Sequence, residues 1–179
     1  MTSGAYATLY MFDNIHGTTD RVNPYAGLIQ GKDGAFCGTT QFGGTSNAGT
    51  VFRYSGGKTT VLHSFPEQSG GFFSDGAYPF AALVQARDGN LYGTTTFGGA
   101  LTTYYQSGTI FRITKSGTST KLWDFNATDA SLNGIDCYGT LVQASDGNLY
   151  GTTSHGGAAK CRNYFSDDAG RRAHSNSQL

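Results

Sequence analysis

Charge is what this chain has least of. Asp, Glu, Lys and Arg make up 13% of its 179 residues, against roughly 25% in an ordinary domain. The 12 basic and 12 acidic residues cancel, so no cationic excess is available to neutralise phosphates, which argues against a nucleic-acid partner. Low charge argues equally against a disordered chain. Cysteine is scarce: Cys37, Cys137 and Cys161 are odd in number and irregularly spaced, which builds neither a disulfide framework nor a zinc site. No apolar run approaches the ~18–20 residues that span a bilayer, and the first residues lack the basic and apolar regions of an export signal. Catalytic signatures are missing too. There is no Gly-x-Gly-x-x-Gly, no Gly-x-Ser-x-Gly and no His-Glu-x-x-His. No catalytic residue, metal or cofactor is assigned.

What the chain has in abundance is glycine (27), threonine (23) and aromatics (13%), the composition of β structure with many tight turns. One phrase organises it. Leu-Ile-Gln-Gly-Lys-Asp-Gly-Ala-Phe-Cys-Gly-Thr-Thr-Gln-Phe-Gly-Gly at residues 28–44 returns, with few changes, at 83–99 and at 141–157. A repeat of about 55–60 residues is the mark of a repeat architecture. Around it, four strand-like segments recur: A (25–30), B (35–41), C (49–54) and D (58–65). They return as 80–85, 90–96, 108–113 and 120–125, and then as A and B only, at 138–143 and 148–154. The Asp-Gly pairs between A and B read as hairpin turns of the primed kind. Gly38 inside strand B marks close backbone approach or a bend.

Both ends break the pattern. Leu9-Tyr10-Met11-Phe12 matches Leu62-His63-Ser64-Phe65 and Leu122-Trp123-Asp124-Phe125, so 5–12 reads as a strand D without its A, B and C. After Gly157 the pattern stops, as a truncation or a shifted reading frame would stop it. The expected organisation is a repeat domain over 1–157, with blades at 24–65 and 79–125 and a half blade at 137–157, followed by an irregular or disordered tail at 158–179.

Four short antiparallel strands per repeat make a propeller blade, and a ring needs roughly 4–8 of them. The expected fold is all-β, a partial β-propeller of four-stranded antiparallel blades, incomplete at both ends. An open arc exposes two blade faces, and self-association through them is expected. The segments Leu-Val-Gln-x-x-Asp-Gly-Asn-Leu-Tyr-Gly-Thr-Thr-x-x-Gly-Gly, Gly-Thr-Ile-Phe-Arg and Leu-x-x-Phe resemble the GloVer tandem repeat of large bacterial surface proteins with varied anchors. The resemblance covers about residues 5–157. It implies a propeller-like fold and a parent protein that is secreted or held at the cell surface, and it brings no catalytic residue.

Read singly, the polar repeat positions serve structure. Asp33, Asp88 and Asp146 offer one carboxylate per turn, too few for calcium. Gln30, Gln85 and Gln143 are expected to satisfy backbone groups or neighbouring blades. His63 and His155 occupy aromatic positions of the repeat. The A–B and C–D connections are short, whereas B–C and D–A are long, irregular and at the same end of an antiparallel blade. Function concentrates on such loops. The ligand-binding candidates there are Glu67, Phe72, Phe73, Asp75, Tyr104, Tyr105 and Asp129; aromatics beside carboxylates suit a glycan or a protein. A non-catalytic binding module is the expectation. The alternatives are a fragment of a propeller polysaccharide lyase or glycosidase and a purely structural spacer.

Overall fold

The computed structural model describes residues 6–12, 23–67, 73–99, 106–126, 136–155, 164–167 and 173–176. They form three four-stranded antiparallel sheets in chain order. The first holds β1 (Ile29–Gln30), β2 (Phe36–Thr40), β3 (Thr50–Ser55) and β4 (Lys58–Ser64). The second holds β5 (Val84–Gln85), β6 (Leu91–Thr95), β7 (Gln106–Ile113) and β8 (Ser119–Asn126). The third holds β9 (Val142–Gln143), β10 (Leu149–Thr152), β11 (Tyr164–Asp167) and β12 (Ala173–Asn176). Each sheet is one blade, and the fold is propeller-like.

The core lies between blades, not within one. Phe65, Val51 and Cys37 of the first blade meet Leu83, Leu91, Phe111 and Ile113 of the second. Ile110 and Phe125 of the second meet Cys137 and Leu141 of the third. A sheet covered on both faces needs apolar residues on both, hence the paired Leu83-Val84 of the second blade. The strand-B glycines have a definite role. A Cβ on Gly93 would stand 2.5 Å from Phe111 Cζ and 3.0 Å from Leu83 Cδ2; on Gly38 it would meet Leu28 and Phe52 in the same way. Each glycine faces its Phe across the ladder, and both outer ladders shift register at that Phe.

Four expectations are corrected. The inner strands are two residues long, because only their last residues reach the ladder; before them, Leu83 and Leu141 of the second and third blades are buried in the seams. The A–B turns are not primed. Gly34 N–H donates to Gly31 O at 2.9 Å and Gly31 N–H to Ala35 O at 2.7 Å. Gly34 alone takes a positive φ, +78°, and the Asp before it does not. This is a type I turn with glycine at the left-handed bulge position, and Gly89 and Gly147 repeat it. Residues 6–12 make no ladder, although Phe12 stacks edge-on against Phe52 at 5.0 Å. The segment 158–179, expected as an irregular tail, contributes β11 and β12, which complete the third blade. Pairing satisfies the backbone of β10 and asks little of side-chain identity, so a polar sequence can supply it.

Candidate functional site

The two long connections of a blade meet at one end. Glu67 N–H, at the start of a D–A loop, donates to Ser46 Oγ of a B–C loop at 2.9 Å. Gly99 N–H donates to Phe73 O at 2.9 Å, and Ala77 bridges Phe97. Each later blade is tied to its predecessor here by one backbone bond: Tyr78 N–H to Ala48 O at 2.8 Å, and Asp136 N–H to Ser107 O at 3.3 Å. Tyr78 and Asp136 hold φ of +55° and +60° at the same repeat position. A left-handed tyrosine is uncommon and costs on the order of 1–3 kcal/mol, so the inter-blade bond imposes this geometry on whichever residue stands there.

The candidate residues separate on this face. Phe73 is 9% exposed and lies 6.0 Å from Tyr78 and 6.1 Å from Phe97, ring to ring. It belongs to the packing beneath the loops. Asp75, two residues on, is half-buried; its carboxylate accepts from Ser74 Oγ at 3.4 Å and its carbonyl from Thr109 Oγ1 at 3.3 Å. Glu67 is exposed. Phe72, Tyr104, Tyr105 and Asp129 lie outside the described residues.

A polar group beside Asp75 escaped the sequence reading. Lys121 Nζ donates to Ser74 O at 2.8 Å and pairs with Asp124 Oδ1 at 3.0 Å, both side chains being 28% exposed. The signal was present: Lys121 and Asp124 stand where the first repeat has Val61 and Ser64. Half-buried His63 packs edge-on against Phe65 at 4.8 Å. Burial holds its pKa below the ordinary 6.5, with the Asp75 charge opposing. Burial also pushes the Cys37 and Cys137 thiols up, so neither is an activated nucleophile. His155 is exposed, with Nδ1 2.9 Å from Ser154 Oγ and 3.4 Å from Asp136 Oδ2.

The turn aspartates are spoken for. Asp88 accepts from Asn90 N–H (3.0 Å), Asn90 Nδ2 (2.7 Å) and Tyr92 OH (2.8 Å), and Asp146 has the same set from Asn148 and Tyr150. In the first repeat Ala35 and Cys37 replace the Asn and Tyr, and Arg53 takes over at 3.2 Å from Asp33. All three carboxyls sit below the ordinary 3.8. The Arg53 hydrogen bond leads at Asp33 and the Tyr150 hydroxyl at Asp146. At Asp88 burial is the largest influence and raises the pKa, but the Asn90 and Tyr92 donors together outweigh it. Among the described residues no three His, Cys, Asp or Glu gather as metal ligands, and no helix is long and apolar enough to cross a membrane. A cavity between Tyr10, Phe12 and β3–β4 measures about 10 Å³, room for about one water.

The model of the Gloeobacter/Verrucomicrobia repeat matches residues 1–167. The chain belongs to this repeat family. The GloVer resemblance of the three phrases is thereby shown over most of the chain. No curated protein matches significantly. Among solved structures, one described as that of a provisionally assigned gluconolactonase matches with a TM-score of 0.53 at 15% identity, over 84% of this chain and 47% of that one. At that identity the likeness speaks for the propeller-like fold alone. The Gloeobacter/Verrucomicrobia repeat chain spans about half the length of that structure.

Proposed function

We propose that the chain is a non-catalytic repeat module that binds a glycan or a protein on its long-loop face, as part of a protein exported to the cell surface. The observation that carries this reading is the division of labour between the two ends of the blades. At one end the turns are short, alike and internally satisfied. At the other, the B–C and D–A loops converge on a shared framework and differ in length and sequence between repeats. Rigid scaffolds place recognition on such loops. Asp75 and the Lys121–Asp124 pair supply polar groups, Glu67 is a further exposed carboxylate on the same face, and the adjoining residues Phe72, Tyr104, Tyr105 and Asp129 supply aromatic and acidic chemistry.

Glycan-array and peptide-array binding of the purified chain tests the reading. Binding is expected to fall tenfold or more in Tyr104→Ala/Tyr105→Ala, roughly the loss of one or two good contacts, with an unchanged melting temperature. Absence of any binding leaves a structural spacer. Turnover of a polysaccharide or of gluconolactone would overturn the non-catalytic reading in favour of an enzyme.

A further inference from the structure

Each junction between blades repeats one set of contacts at the short-turn end. Gln85 Oε1 accepts the Lys32 N–H of the preceding blade at 2.8 Å, and Gln143 Oε1 accepts the Arg87 N–H at 2.8 Å. The same glutamines are oriented by donating Nε2–H to their own turns, at Gly89 O (3.0 Å) and Gly147 O (2.8 Å). Two cations reach forward across the same seams, Lys32 Nζ to Arg87 O at 3.3 Å and Arg87 Nη1 to Ser145 O at 3.0 Å. Below this staple, Leu83 and Leu141 fill the seam at 1% and 2% exposure. A row of first-strand aromatics crosses it, Tyr25 to Phe80 at 5.1 Å and Phe80 to Tyr138 at 5.6 Å.

The two ends of the arc carry the unmatched halves of this junction. On the first blade Gln30 donates to its own turn at Gly34 O (3.4 Å), but its Oε1 meets no donor among the described residues. Leu28, the counterpart of Leu83, is 57% exposed, and Tyr25 is 65% exposed. On the third blade Ser145 N–H, the counterpart of the Lys32 and Arg87 donors, meets no acceptor among the described residues. Val142 is 62% exposed where Ile29 and Val84 pack into the seams, and Tyr138 is 55% exposed. Among the described residues, one end thus offers Gln30 Oε1 without a donor, and the other offers Ser145 N–H without an acceptor.

We propose that two copies of the chain dock head to tail, the third blade of each against the first blade of the other, closing three blades from each copy into one ring. The partner is a second copy because the complementary surface is built into the chain, residue for residue, at seams it already forms. The contact is heterologous, and it closes only if the rotation returns on itself; a six-bladed ring falls within the roughly 4–8 blades that propellers use. The 47% span of the matched propeller-like structure agrees with half a ring per copy. Phe12 already holds the place that a preceding blade takes at the other seam: it stacks on Phe52 at 5.0 Å as Phe65 stacks on Phe111 at 5.2 Å. Without a ladder, and exposed except at the half-buried Phe12, residues 6–12 yield this place to the partner's blade. The inference does not rest on the ligand reading, since a chain that binds nothing would still show the mass of a pair.

Sedimentation velocity and light scattering of the full chain across a concentration series test it. The expected mass is twice the 18.9 kDa of one chain. Leu28→Asp and Val142→Asp, each at an exposed position of one end, are expected to be folded monomers by circular dichroism. Mixed in equal amounts they are expected to form a 1:1 pair through their one intact seam. Gln30→Ala weakens association roughly tenfold. A wild-type chain that stays at 18.9 kDa, a Leu28→Asp chain that still pairs with itself, or growth into open polymers overturns the proposal.

Discussion

At the scale of single residues, the strand glycines and His63 show how the repeat constrains its chemistry. Gly93 has no strained φ; it is glycine because Phe111 and Leu83 occupy the space of a Cβ. Gly93→Ala is expected to destabilise by about 1–3 kcal/mol, the usual cost of overpacking a filled core, measured by urea unfolding. His63 occupies the place where the second repeat has Trp123, and its Nε2 is buried without a partner among the described residues. Because burial depresses its pKa from 6.5, the unfolded chain takes up a proton that the folded chain refuses. Stability is therefore full above pH 6.5 and falls as pH drops through 6.5 toward the lower folded value. His63→Phe is expected to flatten unfolding free energy between pH 7 and 5, in the unfolding series at each pH.

At the scale of elements, the A–B hairpin is the unit that both closes a blade and joins it to the last one. Gln85→Ala strips Lys32 N–H of its acceptor and is expected to cost about 0.5–1.5 kcal/mol. The same change at Gln30, which has only its own turn to hold, is expected to cost the isolated chain less; thermal unfolding of the two variants side by side checks the difference. The turn carboxyls add an acid limit. Asp33, Asp88 and Asp146 are depressed below 3.8, so their contribution is present above pH 3.8 and is lost as pH falls through the lower folded values. Asp146→Asn is expected to reduce this acid sensitivity, read as a smaller drop in melting temperature below pH 4. These roles were legible in the sequence: three copies of Gln and Asp-Gly, compared with one another, read as turn and contact chemistry rather than as a site. The turn type was not legible, because Asp-Gly is compatible with either a primed turn or a type I turn with a bulge glycine, and only the backbone bonds decide.

At the scale of the whole molecule, the third blade rests on residues that lie beyond the last copy of the repeated phrase, which ends at Gly157. Deleting residues 158–179 removes β11 and β12 and leaves β10 with one partner. Faster amide exchange at Leu149, Tyr150 and Gly151 is the expected result, followed by mass spectrometry. Strand pairing here is a backbone property, which is why the polar sequence gave no sign of it. The long-loop face was half legible. Its position follows from loop lengths, but Phe73 looked like a ligand-facing aromatic and is buried against Tyr78 and Phe97. Burial depends on which loop folds over which, and that is a tertiary matter.

By itself, the sequence determined the all-β class, the four-stranded blade and the repeat family. These depend on period, turn residues and local alternation, all written along the chain. Only the tertiary structure decided that the core lies at the seams between blades, that Tyr78 and Asp136 take left-handed backbone to reach the preceding blade, and that the staple of Gln85 and Gln143 has no counterpart at Gln30 and Ser145 among the described residues. The reason is physical: a seam is made of residues about 55 positions apart, and no local pattern records whether its other half is present.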